Sequence, residues 1–288
     1  MKINLLFLVL YLFSPLAYGQ QGQARCEIPA SWITKLQKYD YKTTANDLVR
    51  EFQTYIAPDS LTKFKEEAFL SPMFVNLDED KESEILLFIG GEGKVEYCEP
   101  HFFVLKKTNK KWQIIHQEVY FDAWGAYPAV YISSNQTPHK VFYFSSCIDR
   151  GSDTHHSRTY FFKFSQGKVH KFLDIPKRQS FSGGGQIHDK NTTVEAFEKG
   201  LWITYHYKFQ LVFGNEKVTL LDEKVFVSYL FEEARYELPR DVTEAKLKFL
   251  NGKGSLRAFQ KEFDEIAKNG TSEQKEALKQ FYKNIKKD

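Results

Sequence analysis

The chain has 288 residues and a formal net charge of +3, so its acidic and basic side chains nearly balance. That balance excludes the concentrated basic face of a nucleic-acid binder, and the length suffices for one large domain or two small ones with a real core. Aromatic residues make up 16% of the chain, with 26 Phe and 16 Tyr, which favours strands because flat rings pack well on a pleated, half-buried surface.

Residues 1–19 carry the pattern of a cleavable secretory signal peptide. Lys2 supplies a positive start, Ile3 to Phe13 an apolar run, and Ser14-Pro15 a break; Ala17 and Gly19 then place small residues three and one positions before Gln20. The run falls short of the roughly 18–20 apolar residues that span a bilayer, so cleavage is expected rather than anchoring. No later stretch reaches that length, and no transmembrane segment is expected in the mature chain. Cys26 follows Gln23-Ala24-Arg25, which lacks the small and aliphatic residues of a lipid-attachment site. The expected location is secreted or periplasmic.

Residues 20–72 read as a helical segment. Thr43 or Thr44 caps a stretch in which Leu48, Phe52 and Ile56 fall at four-residue spacing. Pro58-Asp59-Ser60 interrupts, Ser60 caps a second helix to about Phe69, and Ser71-Pro72 ends it.

Residues 73–235 read as a β-rich core, antiparallel and built from hairpins. Glu84 to Ile89 is a buried-type strand. Phe102–Leu105 and Trp112–Tyr120 flank the turn Thr108-Asn109-Lys110, and Arg158–Phe164 and Val169–Leu173 flank Ser165-Gln166-Gly167-Lys168. Val141–Phe144 is another strand, Leu201–Phe213 and Val218–Leu221 flank Gly214-Asn215-Glu216, and Lys224–Leu230 closes the series. Strand, cysteine-bearing loop, Phe-Phe strand and turn recur at an offset of roughly 55–59 residues, which suggests propeller-like blades; a plain antiparallel meander produces similar intervals. Residues 236–288 return to helix. Ser255 caps a stripe of Leu256, Phe259, Phe263 and Ile266 that ends at Asn269-Gly270, and Thr271 with Gln274 forms a capping box for a helix carrying Leu278, Phe281 and Ile285.

Three cysteines, Cys26, Cys98 and Cys147, survive signal removal. An odd number in an oxidising compartment predicts one bridge and one remainder. Cys98 and Cys147 both follow strand-like segments in the centre of the chain and are the expected disulfide.

One segment carries metal chemistry. Asn76, Asp78, Asp80 and Glu84 place oxygen-bearing side chains at alternate positions, with a carboxylate four residues on, directly before the apolar run Ile85–Ile89. A tight loop of this kind can turn its oxygens around a hard cation, and calcium takes about 6–8 of them. The arrangement resembles the calcium loop of FG-GAP or VCBS-type repeats in integrin-like β-propellers. The resemblance implies a bladed β architecture and a structural calcium, held by the side chains of Asn76, Asp78, Asp80 and Glu84 and the backbone carbonyl of Glu82. Lys81 stands where those repeats usually carry glycine, and Asn76 where they carry an acid. An EF-hand is excluded, since Leu87 occupies its twelfth position. Taken without the resemblance, the same residues also describe a polar turn before a buried strand.

Elsewhere, the stretch 149–157, with His155 and His156, reads as a solvated loop, or as part of a loop-built active site spanning 147–158. His116, His170 and His206 lie in strands and are expected to be structural. No Gly-x-Ser-x-Gly elbow, His-Glu-x-x-His or phosphate loop occurs. Tyr120, Trp124 and Tyr127, in a dense aromatic patch, are either core or a ligand face for a glycan or a protein. The expected function is an exported, soluble binding or scaffold protein of the envelope or extracellular space, with calcium as a structural component. The alternatives are a secreted hydrolase and a proteinaceous inhibitor or immunity-type factor.

Overall fold

The computed structural model describes residues 27–40, 45–56, 68–78, 80, 82–91, 101–119, 130–132, 141–151 and 153–285. The protein is mostly β, with two open antiparallel sheets and short helices towards both ends. The first sheet has five strands in the order β1-β5-β4-β3-β2: β1 (Glu27–Ile28), β2 (Ala68–Val75), β3 (Glu84–Gly91), β4 (His101–Thr108) and β5 (Lys111–Val119). The second is an eight-stranded meander in which every strand pairs with its chain neighbour. It runs from β6 (Val130–Ile132) through β7 (Val141–Arg150), β8 (Thr154–Ser165), β9 (Lys168–Gly183), β10 (Gln186–Phe197), β11 (Gly200–Phe213) and β12 (Glu216–Leu230) to β13 (Arg235–Glu237). The helices are α1 (Ala30–Gln37), α2 (Asn46–Gln53), α3 (Glu244–Leu250), α4 (Gln260–Asn269) and α5 (Ser272–Ile285).

Turn chemistry sets the meanders. Asn109 and Lys110 join β4 to β5 with φ of 54° and 65°, Gln166 and Gly167 join β8 to β9 with 53° and 71°, and Gly184 and Gly185 join β9 to β10 with 57° and 74°. Two consecutive positive φ values give the turn twist that matches flanking right-twisted strands. The first two turns stand where the turn residues of the sequence place them; the third belongs to a hairpin that the sequence did not show. The sheet order, however, is that of two open meanders rather than a ring of four-stranded blades, so the propeller-like arrangement is met only at the level of hairpins.

Strand alternation then sorts the core into layers. Ile85, Leu87, Ile89, Phe103 and Leu105 face α1 and α2, packing with Trp32, Val49 and Phe52. Leu86, Phe88, Phe102 and Val104 point the other way, against Phe142, Phe144 and Phe162 of the second sheet. The opposite face of that sheet, with Ile203, Tyr205, Tyr207 and Phe209, is covered by Leu250 of α3, Phe263 of α4 and Phe281 of α5. The order is helix, five-stranded sheet, eight-stranded sheet, helix.

Several local expectations change. Helix α2 forms, but its N-cap is Ala45 rather than Thr43 or Thr44. Ser71-Pro72 lies inside β2 instead of ending a helix, and that strand starts at Ala68. Proline is tolerated there because β2 is an edge strand. Residues 57–67, with the Ser60 cap, lie outside the described residues. Ser255 precedes a 3-10 turn, 256–259, without a side-chain cap bond. The Thr271–Gln274 capping box forms in both directions, at 3.2 and 3.0 Å.

Candidate functional site

The acidic segment lies between β2 and β3, and its backbone is shaped by its own side chains. The Asp80 N–H donates to Asp78 Oδ1 at 3.0 Å and the Glu82 N–H to Asp80 Oδ1 at 2.8 Å, successive Asx-type turns that curl the chain. Asn76 Nδ2 donates to the Asp80 carbonyl at 2.6 Å, closing the loop across its mouth. Glu84 opens β3 and is 1% exposed; its Oε2 accepts the Leu77 N–H at 2.7 Å. Asn76 thus fastens the loop through its amide N–H, and the Glu82 carboxylate turns to Lys107 Nζ at 2.9 Å. Asp78, Asp80 and Glu84 remain as a convergent triad, each offering an oxygen within 4.8 Å of the others, and this triad can hold a metal ion.

A cation already stands against all three. Lys106 Nζ, reaching across from β4, donates to Asp78 Oδ2 at 2.6 Å, Asp80 Oδ2 at 2.7 Å and Glu84 Oε1 at 2.6 Å. Burial works against the Lys106 ammonium, but its hydrogen bonds to Asp78, Asp80 and Glu84 outweigh that cost and hold its pKa above the ordinary lysine value. The Lys106 hydrogen bond, with the Glu82 N–H, lowers the pKa of Asp80. Lys106 is the residue the sequence reading missed. Its separation of 22 residues from Glu84 hides the partnership, and the only local sign is a Lys-Lys pair ending an otherwise buried strand.

The other expected site residues fare differently. Cys98, Tyr120, Trp124 and Tyr127 lie outside the described residues, and so, therefore, does the Cys98–Cys147 pairing; Cys147 itself is in β7. Residues 149–157 form the end of a hairpin rather than a solvated loop: Asp149 pairs with His156 and Arg150 with His155. Polar residues with few apolar neighbours concealed these strands. His116, His170 and His206 lie in β5, β9 and β11 as expected. Strand β10 is new to the structure, as is the extension of β9 to Gly183, because both turn polar side chains to the face under α3.

Among the described residues, no helix is long and apolar enough to cross a membrane. In comparison with known proteins, the chain matches no family, no curated protein and no solved structure. Fold and site together define a class only: a mostly-β protein of two open antiparallel sheets with an acidic cation seat.

Proposed function

We propose that the chain is an exported binding or scaffold protein of the cell envelope or extracellular space, in which the 76–84 loop is a structural cation seat open to calcium. The observation that carries this reading is the convergence of Asp78, Asp80 and Glu84 on one ammonium at 2.6–2.7 Å. Calcium–oxygen distances are about 2.3–2.6 Å, so the same three oxygens suit a calcium ion after small adjustment, with carbonyls or water completing its shell. In this reading the Lys106 ammonium and calcium compete for one place, and either holds the loop against β4. The resemblance to FG-GAP or VCBS-type loops supports calcium over magnesium, which demands stricter octahedral geometry. The signal-like residues 1–19 support export.

The test is calcium titration with thermal melting of the parent and of Lys106→Met. The variant removes the internal cation and leaves three carboxylates facing one another, so calcium should raise its melting temperature well beyond any shift in the parent. Magnesium should do much less. A Lys106→Met protein that melts at the same temperature with and without calcium, and takes up no calcium in calorimetry, refutes the seat. N-terminal sequencing of protein recovered from the external fraction checks export, with Gln20 as the expected first residue.

A further inference from the structure

The inward face of the second sheet changes character at one end. Across most of β11 it is apolar and covered by helices, but where β8 to β11 pass near α3 it carries a polar row. His156 stands opposite Gln179, Gln179 opposite Lys190, and Lys190 opposite Tyr207, so one cross-strand line runs over four strands. These side chains, with His188, Phe181 and Phe249, line a pocket of about 290 Å³.

Lys190 is its centre. It is 6% exposed, and its Nζ donates to Gln179 Oε1 at 3.0 Å and to the Phe249 carbonyl at 2.8 Å. The Phe249 ring lies 4.7 Å from the ammonium. Each of these partners is uncharged, and among the described residues no carboxylate pairs with Lys190. A buried charge of this kind is costly unless something of opposite sign offsets it.

Among the described residues, those lining the pocket include no carboxylate. Because Gln179 Oε1 accepts from Lys190, its Nε2 is the atom that donates to His156 at 2.7 Å, leaving His156 Nε2 as an acceptor on a neutral ring. Tyr207 OH donates to His188 Nδ1 at 2.9 Å, and His188 Nε2 donates to Gln186 Oε1 at 3.2 Å. Burial, with the Lys190 charge, pushes the His188 pKa down to about 4, so that ring is also neutral near pH 7. The pocket therefore presents the Lys190 ammonium, a set of hydrogen-bond donors and acceptors, and aromatic walls, with Phe181 half exposed among its lining residues.

We propose that this pocket binds a small organic anion, with its oxyanion against the Lys190 ammonium and its apolar body against Phe181 and Phe249. The volume sits at the lower end of the roughly 300–1,000 Å³ usual for ligand sites, which sets the size at one ring with a charged head group. The site gives the proposed binding protein a ligand class. It lies on the sheet opposite the acidic loop, and its test is independent of calcium.

Isothermal titration of the full chain with benzoate, phenyl phosphate, inorganic phosphate and the neutral isostere benzamide tests it. Benzoate or phenyl phosphate should bind, with benzamide at least about tenfold weaker, since benzamide keeps the ring but brings no negative charge to the Lys190 ammonium. The tighter of the two anions assigns a carboxylate or a phosphate head group. Lys190→Met should weaken the anion at least about tenfold while leaving benzamide unchanged. If that variant does not fold, ¹³C-methylated Lys190 in the parent serves instead, its amine resonance moving with the anion and not with benzamide. Inorganic phosphate binding as tightly as phenyl phosphate overturns the organic body. No binding of either organic anion below about 10 mM, or equal binding by Lys190→Met, overturns the site.

Discussion

Replacing Lys190 with Met removes a buried charge while keeping a side chain of similar length, and its effect on stability can be worked from the structure. Burial, reinforced by the nearby Arg158 charge, pushes the Lys190 amine down to about 8 from an ordinary 10.5. Between those two values the unfolded chain still holds a proton that the native chain has released, so native stability rises with pH. The slope is about 1.4 kcal/mol per pH unit, and the total from below pH 8 to above pH 10.5 is on the order of 3 kcal/mol. Below pH 8 both states are protonated and the parent carries the full cost of the charge. The titratable groups around Lys190 are His155, His156, His188 and Tyr207 in the pocket lining and Arg158, which is paired with Asp174. Burial pushes the Tyr205 and Tyr207 phenols up, which acts in the opposite sense only above about pH 10, where the unfolded phenols ionise first. Urea unfolding of parent and Lys190→Met, followed by circular dichroism from about pH 7 to about pH 10, cancels the shared groups in the difference. The parent should gain on the variant from about pH 8 upward, and saturating anion should suppress the gain by holding the ammonium charged. A difference that stays flat would mean that Lys190 keeps an ordinary pKa and is not a buried charge at all.

Other perturbations read different parts of the molecule. Glu84→Gln leaves Lys106 with weaker partners and removes the buried carboxylate that also accepts the Leu77 N–H; a loss of about 3 kcal/mol in urea unfolding is expected. Gly200→Ala places a Cβ 2.0 Å from the Tyr229 carbonyl oxygen, a backbone atom that cannot swing aside, so β11 and β12 must separate at that end. The expected cost is about 2 kcal/mol, read as a lowered melting temperature. Burial holds His101 at about 4, so the unfolded chain binds its proton first as pH falls from 6.5, and stability is lost over the window from 6.5 down to 4. His101→Leu should reduce that acid loss in pH-dependent melts by about half, the rest remaining with His188, which burial also holds at about 4.

What could be read along the chain is what depends on near neighbours. The polar turns at Asn109-Lys110 and Gln166-Gly167 stand between apolar runs and so mark hairpins from sequence, and both pairs take the left-handed backbone. Thr271 and Gln274 satisfy each other's backbone N–H groups three residues apart, and Asp78 and Asp80 bend their own loop two residues on. The acidic loop before a buried strand was therefore visible, as was the mostly-β core. Strand β10 was not, because His188, Lys190 and Thr192 put polar side chains on the face that alternation expects to be apolar.

Tertiary pairing decided the rest. Lys106 becomes the cation of the loop only because β4 lies beside β3, with Ile85 opposite Leu105. His156, Gln179, Lys190 and Tyr207 form one row only through the registers of β8 to β11, and a slip of one residue in any pair would turn a member of the row to the other face. Short-range order is written in backbone preference and side-chain capping, so the linear sequence determined it. The partners of Lys106 and Lys190 depend on which strands meet and in what register, and those are properties of the folded sheets alone.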